Sequence, residues 1–197
     1  MTQSTNPYGI FVAFCWLVAI VYATIPAYWL LVHPFVDFWR ARAATLRRVG
    51  PLWVLLWTLA GLATWRWLHV FLYRTPLAWI PGGLLILTAL ALYFGARHGF
   101  SMDQVLGRSE IEPHKHEQRL VTTGLRGRMR HPLYLAHLCD LVGLTLGTGS
   151  LALFALTAFA LPTGALMIWM EERELERRFG DDYRAYKRRV PLFPGLR

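Results

Sequence analysis

Two short stretches of this 197-residue chain carry side chains at spacings that suit chemistry. The first is Arg130-His131-Pro132, at the start of an apolar run. Proline suits the first turn of a helix, where its missing N–H costs nothing. Arg130 and His131 then stand at a positive helix N-terminus beside free backbone donors, a setting that holds an anion such as a carboxylate. The second is Glu171-Glu172, at the end of another apolar run. Between them, Gly147-Thr148-Gly149-Ser150 breaks the 38 residues from Leu133 to Met170 into two arms of a tight helical hairpin. Such a hairpin brings its second arm back to the face the first arm left, so Glu171 and Glu172 return beside Arg130 and His131. Carboxylates at a membrane boundary are costly unless partnered. The expectation is a bipolar site, basic on one side and acidic on the other, suited to a zwitterionic or cationic ligand. Plainer readings stand beside it. Arg126, Arg128 and Arg130 can hold lipid phosphates, and the glutamates can form ordinary salt bridges or pairs such as Glu174–Arg178.

Other candidates are sparser. Asp140 is the one carboxylate inside the apolar runs and follows His137 by three residues, which puts both on one helix face. Intramembrane ionisable groups usually face a bundle interior and mark function, so the pair is a candidate base or substrate-orienting element. The alternative is an Asp140 that is neutral or paired with a Trp, a Thr or Arg66. Further on, Gly180 is expected to end one helix and Asp181 or Asp182 to cap the next, which sets Tyr183 and Tyr186 on one face. They then cover a ligand or pack against the membrane interface. His114-Lys115-His116, with His98, offers too few ligands for a metal site, and none is expected. Thr122, Thr123 and Ser101 have no triad partners at recognisable spacing. Cys15 and Cys139 lie inside apolar runs, so no disulfide framework is read.

The elements that position these residues follow from composition. Hydrophobic residues make up 55% of the chain and charged residues 17%, short of the quarter or so that a water-soluble domain carries. A membrane helix needs about 20 mostly apolar residues. Tyr8 to Val32 is a charge-free run of that length, and no basic segment precedes it as a signal peptide would require. A second run extends from Pro51 to about Leu72 and a third from Leu77 to Ala96. With the hairpin, whose first arm is expected to begin before Leu133 in the headgroup region, the count is five transmembrane helices. The net charge of +9 then acquires a topological reading. All 21 Lys and Arg except Arg66 and Arg74 fall in 33–50, 97–132 and 171–197, connections that share one side. The positive-inside rule makes that side cytoplasmic and the N-terminus external. Trp29, Trp39, Trp53 and Trp169 mark the inner boundary, and Trp65, Trp67 and Trp79 the outer. Nucleic acid is not needed to explain the charge. The predicted fold is all-α and polytopic, N-out and C-in, with a cytoplasmic loop and a C-terminal helical tail. Residues 8–96 give three N-terminal spans and 97–197 the loop, hairpin and tail of a single membrane domain.

Leu120-Val121-Thr122-Thr123-Gly124, then Arg130-His131-Pro132-Leu133-Tyr134, then Glu171-Glu172, then Phe179-Gly180 with Tyr183 and Tyr186, resembles the isoprenylcysteine carboxyl methyltransferase family. The wider group includes the phospholipid methyltransferases and bacterial members. The resemblance implies a membrane-embedded enzyme using S-adenosylmethionine. It implies that Gln118, Arg119, Leu120 and Val121 lie along the cofactor, with Gly124 and Arg126 among its binding residues. His131, Pro132, Leu133 and Tyr134 would form the wall at the hairpin's start, and Glu171, with Glu172, would hold the cofactor from the other arm. Arg130, His137 and Asp140 are the candidate catalytic residues. The sequence departs from the family at Arg126, commonly Tyr, and at Ala136, usually Gly. It departs again at Met167, where the eukaryotic members place an arginine facing their substrate, which argues against a prenylcysteine carboxylate. The expected reaction is methyl transfer to a small lipophilic or lipid-attached carboxylate, thiol or amine. The expected setting is a bacterial inner membrane with the cofactor site on its cytoplasmic side and no obligate protein partner. The alternatives are an NADPH-dependent membrane reductase of the sterol-reductase type and a non-enzymatic membrane scaffold.

Overall fold

The computed structural model describes residues 7–35, 38, 46–96 and 119–196. Among these the chain is helical, with two isolated bridges, Phe71–Ser150 and Phe193–Leu196, in place of any sheet. Five long helices carry it: α1 (Pro7–Val32), α2 (Leu46–Thr64), α3 (Trp79–Ala96), α4 (Pro132–Thr148) and α5 (Leu151–Arg189). Three of them, α1, α3 with its preceding turn, and α5, are long and apolar enough to cross a membrane. The entry of α2 is diluted by Arg47 and Arg48. The 17 residues of α4 reach about 25 Å at 1.5 Å each, slightly less than a hydrocarbon core. Large apolar side chains point outward along these helices, among them Phe14, Leu59, Leu62, Leu87 and Phe94. A surface this apolar requires a non-aqueous neighbour.

Two expectations are corrected here. The second apolar run does not stay helical to Leu72. Helix α2 stops at Thr64, whose hydroxyl donates to the Ala60 carbonyl and accepts from the Trp16 indole at 2.9 Å. A short 3-10 turn, Trp65–Trp67, follows. The backbone beyond it is claimed by the hairpin turn, through Leu72 N–H to Gly149 O and Leu151 N–H to Val70 O. Nor does the hairpin's first arm begin early. His131 is non-helical (φ −123°, ψ 60°) and Pro132 is the first helical residue. The residue before a proline is pushed out of the α region, which fixes the boundary.

Small residues let the helices approach closely. A Cβ on Gly82 of α3 would stand 2.7 Å from the Gly143 carbonyl oxygen of α4, and one on Gly147 would enter the Trp79 ring. This contact of small residues is the usual means of packing helices in lipid. On the other side, Cys15, Ala19 and Ala23 of α1 meet Leu153, Leu156 and Ala160 of α5. The turn between α4 and α5 is closed by Gly149 in the left-handed region (φ 64°). Near its far end α5 breaks at Gly180 (φ 54°, ψ −124°), a conformation open only to glycine at little cost. The expected helix end at Gly180 is therefore present. The segment after it folds back so that Tyr183, Tyr186 and Val190 pack on Leu120, Leu175 and Phe179.

Candidate ligand site at the foot of the hairpin

Helix α4 enters at His131–Pro132 and α5 leaves at Met170–Glu171, and the tight turn between them brings the two ends together. Arg130 is 5% exposed and donates from Nε to Glu172 Oε1 at 2.6 Å. Its Nη1 donates to the Val190 carbonyl at 2.6 Å and to that of Lys187 at 3.3 Å, and its backbone N–H to Pro191 O. The other Glu172 oxygen receives Lys187 Nζ at 2.9 Å, which also reaches Glu176. His131 Nε2 lies 3.4 Å from Glu172 Oε1. Burial alone would raise the Glu172 carboxyl. Hydrogen bonds from His131, Lys187 and Arg130, with the Arg130 charge, instead hold it down at about 2. Arg130 and Glu172 thus form a clasp that ties the C-terminal segment to the entry of α4.

Glu171 differs. Among the described residues its buried Oε2 has no hydrogen-bond partner, the His131 Nδ1 standing 3.7 Å away. Arg126 approaches from the turn Gly124–Gly127, which Gly124 opens with φ 61°. Burial pushes the Arg126 guanidinium below its usual range, and Glu171 is the first of the groups pulling the other way. The Arg126 carbonyl accepts the Tyr186 hydroxyl at 2.7 Å, which fixes that turn against the tail. Tyr183 is 1% exposed, and its hydroxyl has no hydrogen-bond partner among the described residues. Burial, then the Glu172 and Glu171 charges, raise it above the ordinary phenol range. His131 stacks on Tyr134 with ring centroids 5.4 Å apart.

The other sequence-derived residues divide as follows. Pro132 is buried as the first residue of α4, and Leu133 and Val121 are half-buried. Leu120 packs into the tyrosine cluster of the tail, whereas Arg119 is exposed. Gln118 lies outside the described residues, as do His98, Ser101, His114, Lys115 and His116. Among the described residues no group of His, Cys, Asp or Glu is arranged to hold a metal. His137 and Asp140 lie deeper along α4. The partner expected for Asp140, a Trp, a Thr or Arg66, is replaced by Tyr93 of α3, whose hydroxyl donates to Oδ2 at 2.9 Å. Tyrosine wins because α3 lies along α4 through its glycines and sets Tyr93 at that depth. The His137 ring lies between Tyr22 and Tyr93, with centroids 5.3 and 5.7 Å away.

Sequence reasoning missed Lys187, Val190 and Pro191 as parts of the clasp, and Tyr22 and Tyr93 as neighbours of Asp140. A polar ring in the middle of each of two apolar runs was the available signal for the tyrosines. No family model, curated protein or solved structure matches the chain.

Proposed function

We propose that this protein is an integral membrane methyltransferase that uses S-adenosylmethionine to methylate a lipophilic or lipid-attached acceptor. The observation that carries the reading is the pair of buried polar atoms left without hydrogen bonds among the described residues, Glu171 Oε2 and the Tyr183 hydroxyl. Buried polar groups are ordinarily satisfied, so two orphans beside His131 and Arg126 suit a ligand with donors and acceptors of its own. S-adenosylmethionine fits that set. Its ammonium suits Glu171, and its carboxylate suits Arg126 and His131. When bound it supplies a methyl group on a sulfonium, which transfers in one displacement. The chain's own contribution is placement and dryness. The Arg130–Glu172–Lys187 clasp holds the tail across the foot of the hairpin, and the surrounding apolar helices exclude bulk water.

The finer topology belongs to the same proposal: five spans, N-terminus outside, with the site on the cytoplasmic face of a bacterial inner membrane. The distribution of Lys and Arg supports the orientation, and the resemblance to bacterial members supports the compartment. Helix α4 then serves as a short arm whose entry, Arg130 and His131, sits at headgroup depth. Calorimetry on detergent-purified protein tests the reading. S-adenosylhomocysteine is expected to bind at micromolar strength and NADPH not at all. Binding of NADPH alone would point to the reductase, and binding of neither to a scaffold.

A further inference from the structure

Eight residues beyond Pro132, about 12 Å along α4 at 1.5 Å per residue, Asp140 sits in an apolar run and is 8% exposed. Its hydrogen bond comes from Tyr93, with Tyr22 of α1 also within reach of both. Among the described residues no lysine or arginine pairs with it. A carboxylate at such depth is costly without a cation or a proton. The groups around it are of a kind that recognises cations. The His137 ring lies between the rings of Tyr22 and Tyr93, and tyrosine faces attract an ammonium electrostatically. Among the described residues His137 Nδ1 is buried without a hydrogen-bond partner, and in the tautomer protonated at Nε2 it accepts an ammonium N–H. Tyr22, Tyr93 and His137 are only partly buried, and α1 and α3 both pack on α4 while touching each other little, so the cluster borders a seam between them. Leu85, Leu92 and Leu135 pack with Tyr93 around Ala89, Ala136 and Cys139, an apolar surface suited to a hydrocarbon tail.

We propose that Asp140, Tyr22, Tyr93 and His137 form a binding site for the protonated head of a lipophilic amine that enters from the bilayer. The site is proposed for the ammonium form alone, and this binding does not rest on the methyltransferase reading. Among amphiphile head groups, a carboxylate would face Asp140 with like charge, and a neutral hydroxyl or thiol would leave it without a cation. An amine satisfies it.

The test is equilibrium dialysis at pH 7 with the full chain in lipid nanodiscs, empty nanodiscs serving as the blank. Dodecylamine and dodecyltrimethylammonium are expected to bind saturably above the blank, and dodecanol and dodecanoate are not. Asp140→Asn is expected to weaken dodecylamine binding roughly tenfold or more, since it removes the charge that pairs with the ammonium. Tyr93→Phe, which keeps the ring, should weaken it by no more than about threefold. Equal retention of all four amphiphiles, or unchanged dodecylamine binding by Asp140→Asn, overturns the proposal. Should Asp140→Asn fail to fold, the wild-type ligand series decides alone. Absence of amine binding in protein that still binds S-adenosylhomocysteine sinks this site and spares the methyltransferase reading. Amine binding in protein that binds no S-adenosylhomocysteine does the reverse.

Discussion

Replacing Glu172 with alanine removes the centre of the clasp and leaves the Arg130 guanidinium buried with only the Val190 and Lys187 carbonyls. Two routes give the cost. Breaking a buried ion pair by deleting one partner destabilises by about 3–5 kcal/mol. Independently, a carboxyl held at about 2 instead of its ordinary 4.5 corresponds to about 3 kcal/mol, at about 1.4 kcal/mol per pH unit. For a chain of this size 1 kcal/mol shifts the melting temperature by about 2–4 °C, so about 3 kcal/mol predicts a fall of roughly 6–12 °C at pH 7. The pH dependence has a definite sign. Glu172 titrates lower folded than unfolded, so its stabilisation is complete above about pH 4.5 and fades as pH falls toward 2. The difference between wild type and Glu172→Ala should therefore shrink through that window. The assay is a thermal melt in detergent followed by tryptophan fluorescence at fixed scan rate, from pH 7 down to pH 3. A variant that melts within 2 °C of wild type at pH 7, or one whose deficit stays constant to pH 3, would refute the reasoning.

Three further outcomes follow from the packing. Gly149→Ala, at φ 64° and with the Tyr73 carbonyl against the new Cβ, should destabilise by at least about 1–3 kcal/mol in the same melt. Gly82→Val should separate α3 from α4, because even a methyl would stand 2.7 Å from the Gly143 oxygen. A cysteine pair placed across that contact in the variant should lose its crosslinking efficiency. Tyr186→Phe should cost about 1 kcal/mol by releasing the Arg126 carbonyl. It should also loosen the Gly124–Gly127 turn, seen as faster amide exchange there.

The hairpin was legible because a 38-residue apolar run is too long for one span and Gly147-Thr148-Gly149-Ser150 interrupts it. From that turn alone the meeting of Glu171 and Glu172 with Arg130 and His131 followed. The division of labour between the glutamates did not follow. Adjacent residues on a helix point about 100° apart, and which one meets Arg130 depends on the rotation of α5 about its axis, a tertiary quantity. Lys187 was hidden for a related reason: Gly180 redirects the chain, so no fixed spacing connects it with Glu172. The end of α2 at Thr64 was invisible because the sequence stays largely apolar to Leu72, interrupted only by Arg66 and His69, and the bonds that turn the chain aside come from Gly149 and Leu151. Tyr93 carries no spacing cue toward Asp140, since the two are brought level by glycine packing between separate helices.

The account separates two adjacent carboxylates, giving Glu171 to a ligand and Glu172 to the fold. Calorimetric titration of S-adenosylhomocysteine into wild type and Glu171→Gln, with a melting curve for each and for Glu172→Gln, tests that division directly. The predicted result is that Glu171→Gln melts with wild type but loses binding at least tenfold, while Glu172→Gln melts several degrees lower. Undiminished binding by Glu171→Gln would contradict it.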